Sequence, residues 1–301
     1  MTPREIIATS WAISKRERQM RHWGYTSSLL ETLLNTKLLI YQTWFLISYI
    51  QGDPIGFFTV EATLFDYVPL WFFLTFVIVL VVLIAIEWLF PHMARGAIIG
   101  LGAKSSLGEE AKGGLVLAIY NFFPMFAIHE FFFLSRITVV ITIISLLLRY
   151  GGGMAGAGIL IVIIAFIISN VFRFFFLFSE EAVVIRKIGI RQALKVSFKL
   201  VISYLGRVVF LMILFFLISI RILLNAVAIF LIPGVVIGLG MLLAMVLPTI
   251  AVVIIVSLVG LGIIGFTSYI LGYLEVFQQT VWTITYIELS RLKELDIIEA
   301  K

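Results

Sequence analysis

The chain has 301 residues, of which 62% are hydrophobic and only 13% are charged, and its mean hydropathy is +1.15. A soluble domain is about 45–50% apolar, so this surplus excludes an ordinary soluble fold and requires lipid as its solvent. The formal net charge of +5 reflects Lys and Arg beside membrane spans rather than nucleic-acid binding. Because there is no cysteine, disulfides, thiolate metal sites and cysteine nucleophiles are excluded as well.

The first segment, residues 1–37, mixes basic residues with Trp11, Ile13, Met20 and Trp23. This pattern predicts a helix lying in the headgroup layer, and a partly ordered cytoplasmic tail is the alternative. No apolar run precedes Leu38, so we expect no cleavable signal peptide and an insertion that is directed by the first span.

The transmembrane domain is predicted over residues 38–290, with six spans. Span one covers 38–50, lengthened by 28–35, and span two covers 67–90, whose 24 residues exceed the ~20 needed to cross hydrocarbon. Span three begins at 114 and reaches 134, or 148 in broken form, because Pro124, His129-Glu130 and Arg136 favour a kink or break. Gly151-Gly152-Gly153 predicts a turn before span four at 154–178.

Span five is predicted at 200–231 and span six ends near Glu288. Between them, residues 222–274 contain no Asp, Glu, Lys, Arg or His, and these 53 residues are too many for one crossing. Pro233-Gly234 and Pro248 are the predicted turning points. We predict six spans, with eight as the alternative. Both numbers are even, so both place the two termini on the same side of the membrane.

Orientation follows from the basic residues. Segments 1–37, 91–112, 179–199 and 291–301 hold 17 of the 22 Lys and Arg, whereas the 51–66 loop holds none. The positive-inside rule therefore predicts an inner-membrane protein with both termini in the cytoplasm, the last being a tail over 291–301.

The segment 179–199 is predicted to form an amphipathic cytoplasmic helix. Ser179 is its expected N-cap, and Glu180 and Glu181 suit the positive end of the helix dipole. The basic residues recur every four positions and are predicted to bind anionic lipid headgroups; an ordinary positive-inside loop is the alternative. They are Lys187, Arg191, Lys195 and Lys199.

Four short stretches carry a resemblance to a known family. They are Arg95-Gly96-Ala97-Ile98, Ser106-Leu107-Gly108-Glu109, Phe178–Val184 continuing through Gln192–Ser197, and Thr283–Leu289. Together they resemble the six-span membrane domain found beside glycerophosphoryl diester phosphodiesterases. The resemblance implies an architecture and no catalytic residue, since the family's phosphodiesterase domain is a separate soluble barrel.

Sequence motifs for catalysis are incomplete. His129-Glu130 begins like a zinc-protease helix, but Phe133 stands where the second His is needed, so no metal or cofactor is predicted. The matches to G-x-G-x-x-G at Gly151–Gly156 and Gly260–Gly265 lie in membrane sequence, where a turn and close helix packing are the expected roles. G-x-x-x-G at Gly96–Gly100 and Gly234–Gly238 predicts helix packing.

Ionisable residues inside membrane sequence are expensive and need a partner or a wet cavity. The candidates are His129, Glu130, Arg136, Asn225 and Glu275.

The expected function is a non-enzymatic membrane scaffold or accessory subunit that packs against lipids, a partner membrane protein or a second copy of the chain. The alternative is a transporter or lipid-handling protein with a cavity between spans three to six. A cavity lined by Glu130, Arg136 and Asn225 would favour the alternative.

Overall fold

The computed structural model describes residues 1–52, 65–66, 68–214, 216, 238, 240–243, 245 and 248–299. Every regular element in these ranges is a helix, which confirms the predicted all-α class. In chain order the helices are α1 (Pro3–Arg16), α2 (Arg18–Gln51), α3 (Leu70–Ser106), α4 (Gly114–Phe131), α5 (Ile137–Tyr150), α6 (Ala155–Phe175), α7 (Ser179–Arg186), α8 (Ile190–Ser203), α9 (Leu205–Leu214) and α10 (Thr249–Glu299).

The protein is a multi-pass membrane protein by the length and composition of its helices. Four described segments are long and apolar enough to cross a membrane, namely Leu70–Ser106, Gly114–Phe131, Gly152–Arg186 and Ile250–Glu294. Helices α8 and α9 add a fifth if the pair, bent by 88°, is one span. The count of six stays a prediction, because residues 217–231 of predicted span five lie outside the described ranges.

The chain divides into two compact units. Unit one consists of Met1–Leu29, Ile98–Gly114 and Lys199–Lys301, and unit two consists of Leu30–Ala97 and Leu115–Phe198. Each is described by itself.

In unit one, helix α1 has the N-terminal signature that its sequence predicts. Thr2 Oγ1 accepts from the Glu5 amide at 3.3 Å, and Glu5 Oε2 accepts from the Thr2 amide at 2.8 Å, which is a capping box. Trp11 packs edge-on against Tyr273 and Phe277 of α10, with ring centroids 5.1 and 5.3 Å apart. Residues 3–16 are therefore an ordered helix, and their place in the headgroup layer stays a prediction.

The close contact in unit one is a crossing of α2 and α10 at two glycines. A Cβ on Gly24 would lie 2.4 Å from Val276 Cγ2, and a Cβ on Gly272 would lie 2.6 Å from the Gly24 carbonyl oxygen. Without side chains, the two backbones touch directly, as is common where helices associate in lipid. The predicted packing role of Gly260–Gly265 is wrong for Gly260, which has open space around its Cα.

In unit two, α3 begins with a lipid-facing stretch, since Leu70, Trp71, Ile78 and Val81 are each at least 59% exposed. The G-x-x-x-G prediction holds at Gly96, whose Cβ would lie 3.1 Å from Asn121 Cβ on α4. The glycine turn at 151–153 is also confirmed: a 3-10 helix, Gly152–Met154, joins α5 to α6, and Gly152 has φ +49°.

Helix α3 corrects the predicted loop at 91–112. It continues through Pro91 to Ser106, because Ala94, Ala97, Ile98 and Leu101 are fully buried and supply an apolar face. Only residues 107–113 form the connection to α4.

The predicted break in span three is confirmed, but it lies after Glu130 rather than at Pro124. Pro124 is inside α4, which ends at Phe131, and a 3-10 turn, Phe133–Ser135, precedes α5.

The prediction of one helix over 179–199 is wrong. Helix α7 ends where Lys187 adopts a left-handed conformation with φ +52°, and α8 begins at Ile190. Ser179 does not cap α7, because it is the first helical residue and its Oγ donates to the Phe176 carbonyl at 2.7 Å. Glu180 and Glu181 do occupy the first turn.

Candidate functional site

Charged side chains from five helices and one turn meet in unit two, at the ends of apolar stretches. Helix α4 ends there, α5 begins there, α6 ends there, and the lipid-facing part of α3 ends there. We call these residues the polar cluster: His92 and Arg95 on α3, His129 and Glu130 on α4, Ser135 in the 3-10 turn, Arg136 at the start of α5, Arg173 on α6 and Glu180 on α7.

The strongest ion pair in the cluster joins Glu130 to Arg136. One guanidinium nitrogen, Arg136 Nη2, donates to both carboxylate oxygens at 2.9 and 2.8 Å. The 3-10 turn lies between these two residues, which are six apart in the chain. Both side chains are about three-quarters buried, with 26% and 23% exposed, so Glu130 faces protein as the broken span predicts.

A second set of contacts centres on His129. Arg95 Nη1 lies 2.7 Å from His129 Nδ1, and Glu180 Oε1 lies 3.7 Å from the same nitrogen. Because arginine can only donate, a hydrogen bond across the 2.7 Å contact requires Nδ1 to be the acceptor. The His92 ring lies against His129 with centroids 4.6 Å apart, and it meets Phe126 edge-on at 5.4 Å.

The 3-10 turn itself is fixed by hydrogen bonds. Arg173 Nη1 donates to Ser135 Oγ at 3.0 Å, and Ser135 Oγ donates to the Phe132 carbonyl at 2.7 Å. Ser135 thereby couples the end of α6 to the break between α4 and α5.

A cavity of about 410 Å³ lies beside the polar cluster. Its lining combines charged or polar side chains with apolar ones, Trp88 and Leu38 among the latter. Its lining residues are Glu31, Leu34, Asn35, Leu38, Glu87, Trp88, Pro91, His92, Arg95, His129, Arg136, Ile137, Thr138 and Val139. This volume lies within the range of pockets for small molecules, about 300–1,000 Å³.

Three of the predicted intramembrane residues are brought together, namely His129, Glu130 and Arg136. Glu275 is not one of them, as it lies on α10 in unit one. Asn225 lies outside the described residues.

The sequence analysis missed His92, Arg95 and Glu180 as site residues. His92 and Arg95 are three apart, which places them on one face of a helix, but the segment was interpreted as a loop. Glu180 was interpreted only as a residue that favours the helix N-terminus.

The predicted headgroup residues are divided between two local structures. Lys187 is exposed at the end of α7, whereas Arg191, Lys195 and Lys199 are exposed along α8. Ala193, Ser197 and Leu200 on the opposite side of α8 are buried. We call Arg191, Lys195 and Lys199 the basic face.

The chemistry of the cluster is that of binding. Among the described residues, no group of three or more His, Cys, Asp or Glu side chains is placed to hold a metal ion. Arg95, Arg136 and Arg173 would also repel a cation. The arrangement instead provides hydrogen-bond donors and acceptors of both charges beside an apolar wall.

Comparisons of the chain with protein-family models, with curated proteins and with solved structures find no match, so the resemblance to the six-span phosphodiesterase-associated family stays a prediction.

Proposed function

We propose that the protein binds a small amphipathic molecule of the lipid class in the cavity of unit two and handles it within the membrane. The observation that carries this proposal is the mixed lining of the cavity, which combines Glu, His and Arg side chains with Trp, Leu, Ile and Val side chains. This is the transporter or lipid-handling alternative of the sequence analysis. The cavity, however, is lined by α2, α3, α4 and α5, and so by predicted spans one to three.

The energetic cost of the polar cluster supports a role in binding. Ionisable groups buried between membrane helices are costly without a partner or water, so several of them at one place indicate a role beyond packing. Packing between apolar helices would serve a scaffold equally well without them. The scaffold or accessory-subunit role, with a partner membrane protein or a second copy, stays the competing expectation.

An amphipathic ligand fits the position of the cluster as well as its composition. Apolar stretches of α3, α5 and α6 all change to charged residues there, at Glu87, Arg136 and Arg173 respectively. Such a change is expected where hydrocarbon meets headgroups. A lipid bound there would place its headgroup at the charged residues and its chains along the apolar wall.

The lipid content of the purified protein tests the proposal. Full-length protein extracted in mild detergent is expected to retain lipid in native mass spectrometry. Leu34→Trp fills the cavity and is expected to abolish most of that retention, while Ile161→Trp, on an exposed position of α6, is the matched control. Equal retention by the two variants, with equal melting temperatures, would exclude this cavity as the binding site.

We further propose the inner membrane as the location, with both termini cytoplasmic. Because the chain lacks cysteine, single cysteines can be introduced without background. Cysteine at Glu110, beside the basic segment, is expected to label from the cytoplasmic side, and cysteine at Gly153 from the opposite side. Labelling of both from one side would overturn the orientation.

A further inference from the structure

The charges in the cavity lining are arranged along one wall. The lining residues of α3 are Glu87, Trp88, Pro91, His92 and Arg95, whose spacing of 1, 4, 5 and 8 from Glu87 puts them on a single helix face. Glu87 and Arg95 are then two turns apart, about 12 Å along the helix. The wall therefore changes from an acidic end to a basic end.

The other helices add charge of both signs to the same lining. Helix α2 contributes Glu31, and the start of α5 contributes Arg136. The described lining thus holds two carboxylates and two guanidinium groups, so a ligand that carries both signs of charge meets groups of opposite charge in the same cavity.

Two donors at the basic end lack hydrogen-bond partners. His92 Nε2 and Arg136 Nε are buried without one, and both residues line the cavity. His92 is only 3% exposed, and its Nε2 lies 3.6 Å from Glu130 Oε1, which is too long for a hydrogen bond. Buried polar groups are normally satisfied, so these two nitrogens leave hydrogen-bonding capacity unused beside the cavity.

We propose that the ligand is a phospholipid with a zwitterionic headgroup, a phosphate joined to an ammonium group. This proposal rests on the proposed function and specifies its ligand. The phosphate lies against the Arg95 and Arg136 side chains, because guanidinium groups bind phosphate oxygens strongly. The ammonium group lies toward Glu31 and Glu87, and the acyl chains follow Leu34, Leu38 and Ile137.

Headgroup competition in nanodiscs tests the assignment. Full-length protein is reconstituted with equal amounts of ethanolamine, choline and glycerol phospholipids, and the lipids that stay bound are measured by native mass spectrometry. The wild type is expected to retain zwitterionic lipids about tenfold over the anionic one. Glu31→Gln removes an acidic group and should shift retention toward the anionic lipid, whereas Glu110→Gln, outside the cavity, should not.

The outcomes separate this proposal from the one it rests on. If lipid is retained but the anionic headgroup is preferred, or if Glu31→Gln leaves the ratio unchanged, the zwitterionic assignment is wrong while the lipid site stands. If wild type retains no more lipid of any class than Leu34→Trp, the proposed function itself fails. Displacement of the bound lipid by soluble phosphoethanolamine would identify a soluble zwitterion instead and overturn the lipid assignment.

Discussion

The two units differ in the contacts that bring their helices together. In unit one, Gly24 and Gly272 bring two backbones into contact. Two of the buried hydroxyls there turn back on their own helix: Thr280 and Thr285 each donate to the carbonyl four residues earlier at 2.7 Å. In unit two, charged side chains bind one another between helices.

The difference indicates which unit carries the ligand chemistry. Close packing and self-satisfied hydroxyls stabilise a membrane helix pair without exposing any group to a ligand. A network of arginine, glutamate and histidine is a poor stabiliser, because removing each charge from water costs more than many pairs return. Its presence beside a cavity is therefore better explained by binding, and the following substitutions test that distinction.

The largest loss of stability is expected from breaking the Glu130–Arg136 pair. Glu130→Ala leaves the Arg136 guanidinium without its carboxylate, and removal of one partner of a buried pair costs about 3–5 kcal/mol. The loss in the free energy of unfolding should lie at or below the lower end of that range, because both side chains retain partial exposure. Thermal unfolding in detergent measures it.

A double substitution separates pairing from binding. Glu130→Gln combined with Arg136→Met removes both charges, so it should restore much of the stability that Glu130→Ala loses. It should not restore lipid retention, because the Arg136 donor is gone. Recovery of both properties together would mean that the pair is only structural.

A smaller loss is expected from the glycine crossing in unit one. Gly272→Ala forces its new methyl group onto the Gly24 carbonyl, and overpacking of this kind costs about 1–3 kcal/mol. Gly260→Ala on the same helix meets open space and should instead stabilise by up to about 1 kcal/mol, through helix propensity.

These two variants should leave lipid retention unchanged, because neither position lines the cavity. A denaturant titration in detergent gives the stabilities. Equal effects of the two alanines would show that the crossing is not tightly packed, and a loss of bound lipid in Gly272→Ala would contradict the separation of roles between the units.

The sequence was informative about the helical class and about the break near His129-Glu130. A charged pair followed by Arg136 cannot continue an apolar helix without cost, so local composition alone predicts an interruption. The same residues proved to be the centre of the site. Their partners came from helices distant in sequence, and no local pattern reports that His92 will lie against His129.

The errors came from segments whose structure depends on tertiary burial. Helix α3 continues past Pro91 because Ala97, Ile98 and Leu101 are buried by other helices, whereas a hydropathy pattern ends the span at the first polar residues. The four-residue spacing of the basic residues favoured a single helix over 179–199. Lys187 breaks it in a left-handed conformation that lysine rarely adopts, and only Gly189 hinted at an interruption.

The smallest effect per residue is expected on the basic face of α8, where each charge acts separately. Each Lys or Arg near an anionic leaflet contributes about 1 kcal/mol. The 88° bend between α8 and α9 suits a helix that lies on the membrane before the chain enters it. Reversing Arg191, Lys195 and Lys199 to Glu should lift α8 from anionic liposomes, and Gln should give an intermediate effect.

Lys187 provides the internal comparison, because it is exposed but lies at the end of α7, outside the regular helix that carries the basic face. Its reversal should change protease accessibility of α8 less than reversal of Lys195. High salt should reduce all of these differences, since screening weakens the attraction of exposed charges. Accessibility is measured on liposomes with and without anionic lipid. If it responds neither to lipid charge nor to the reversals, the basic residues fix orientation only, and the contact with headgroups proposed for this surface is wrong.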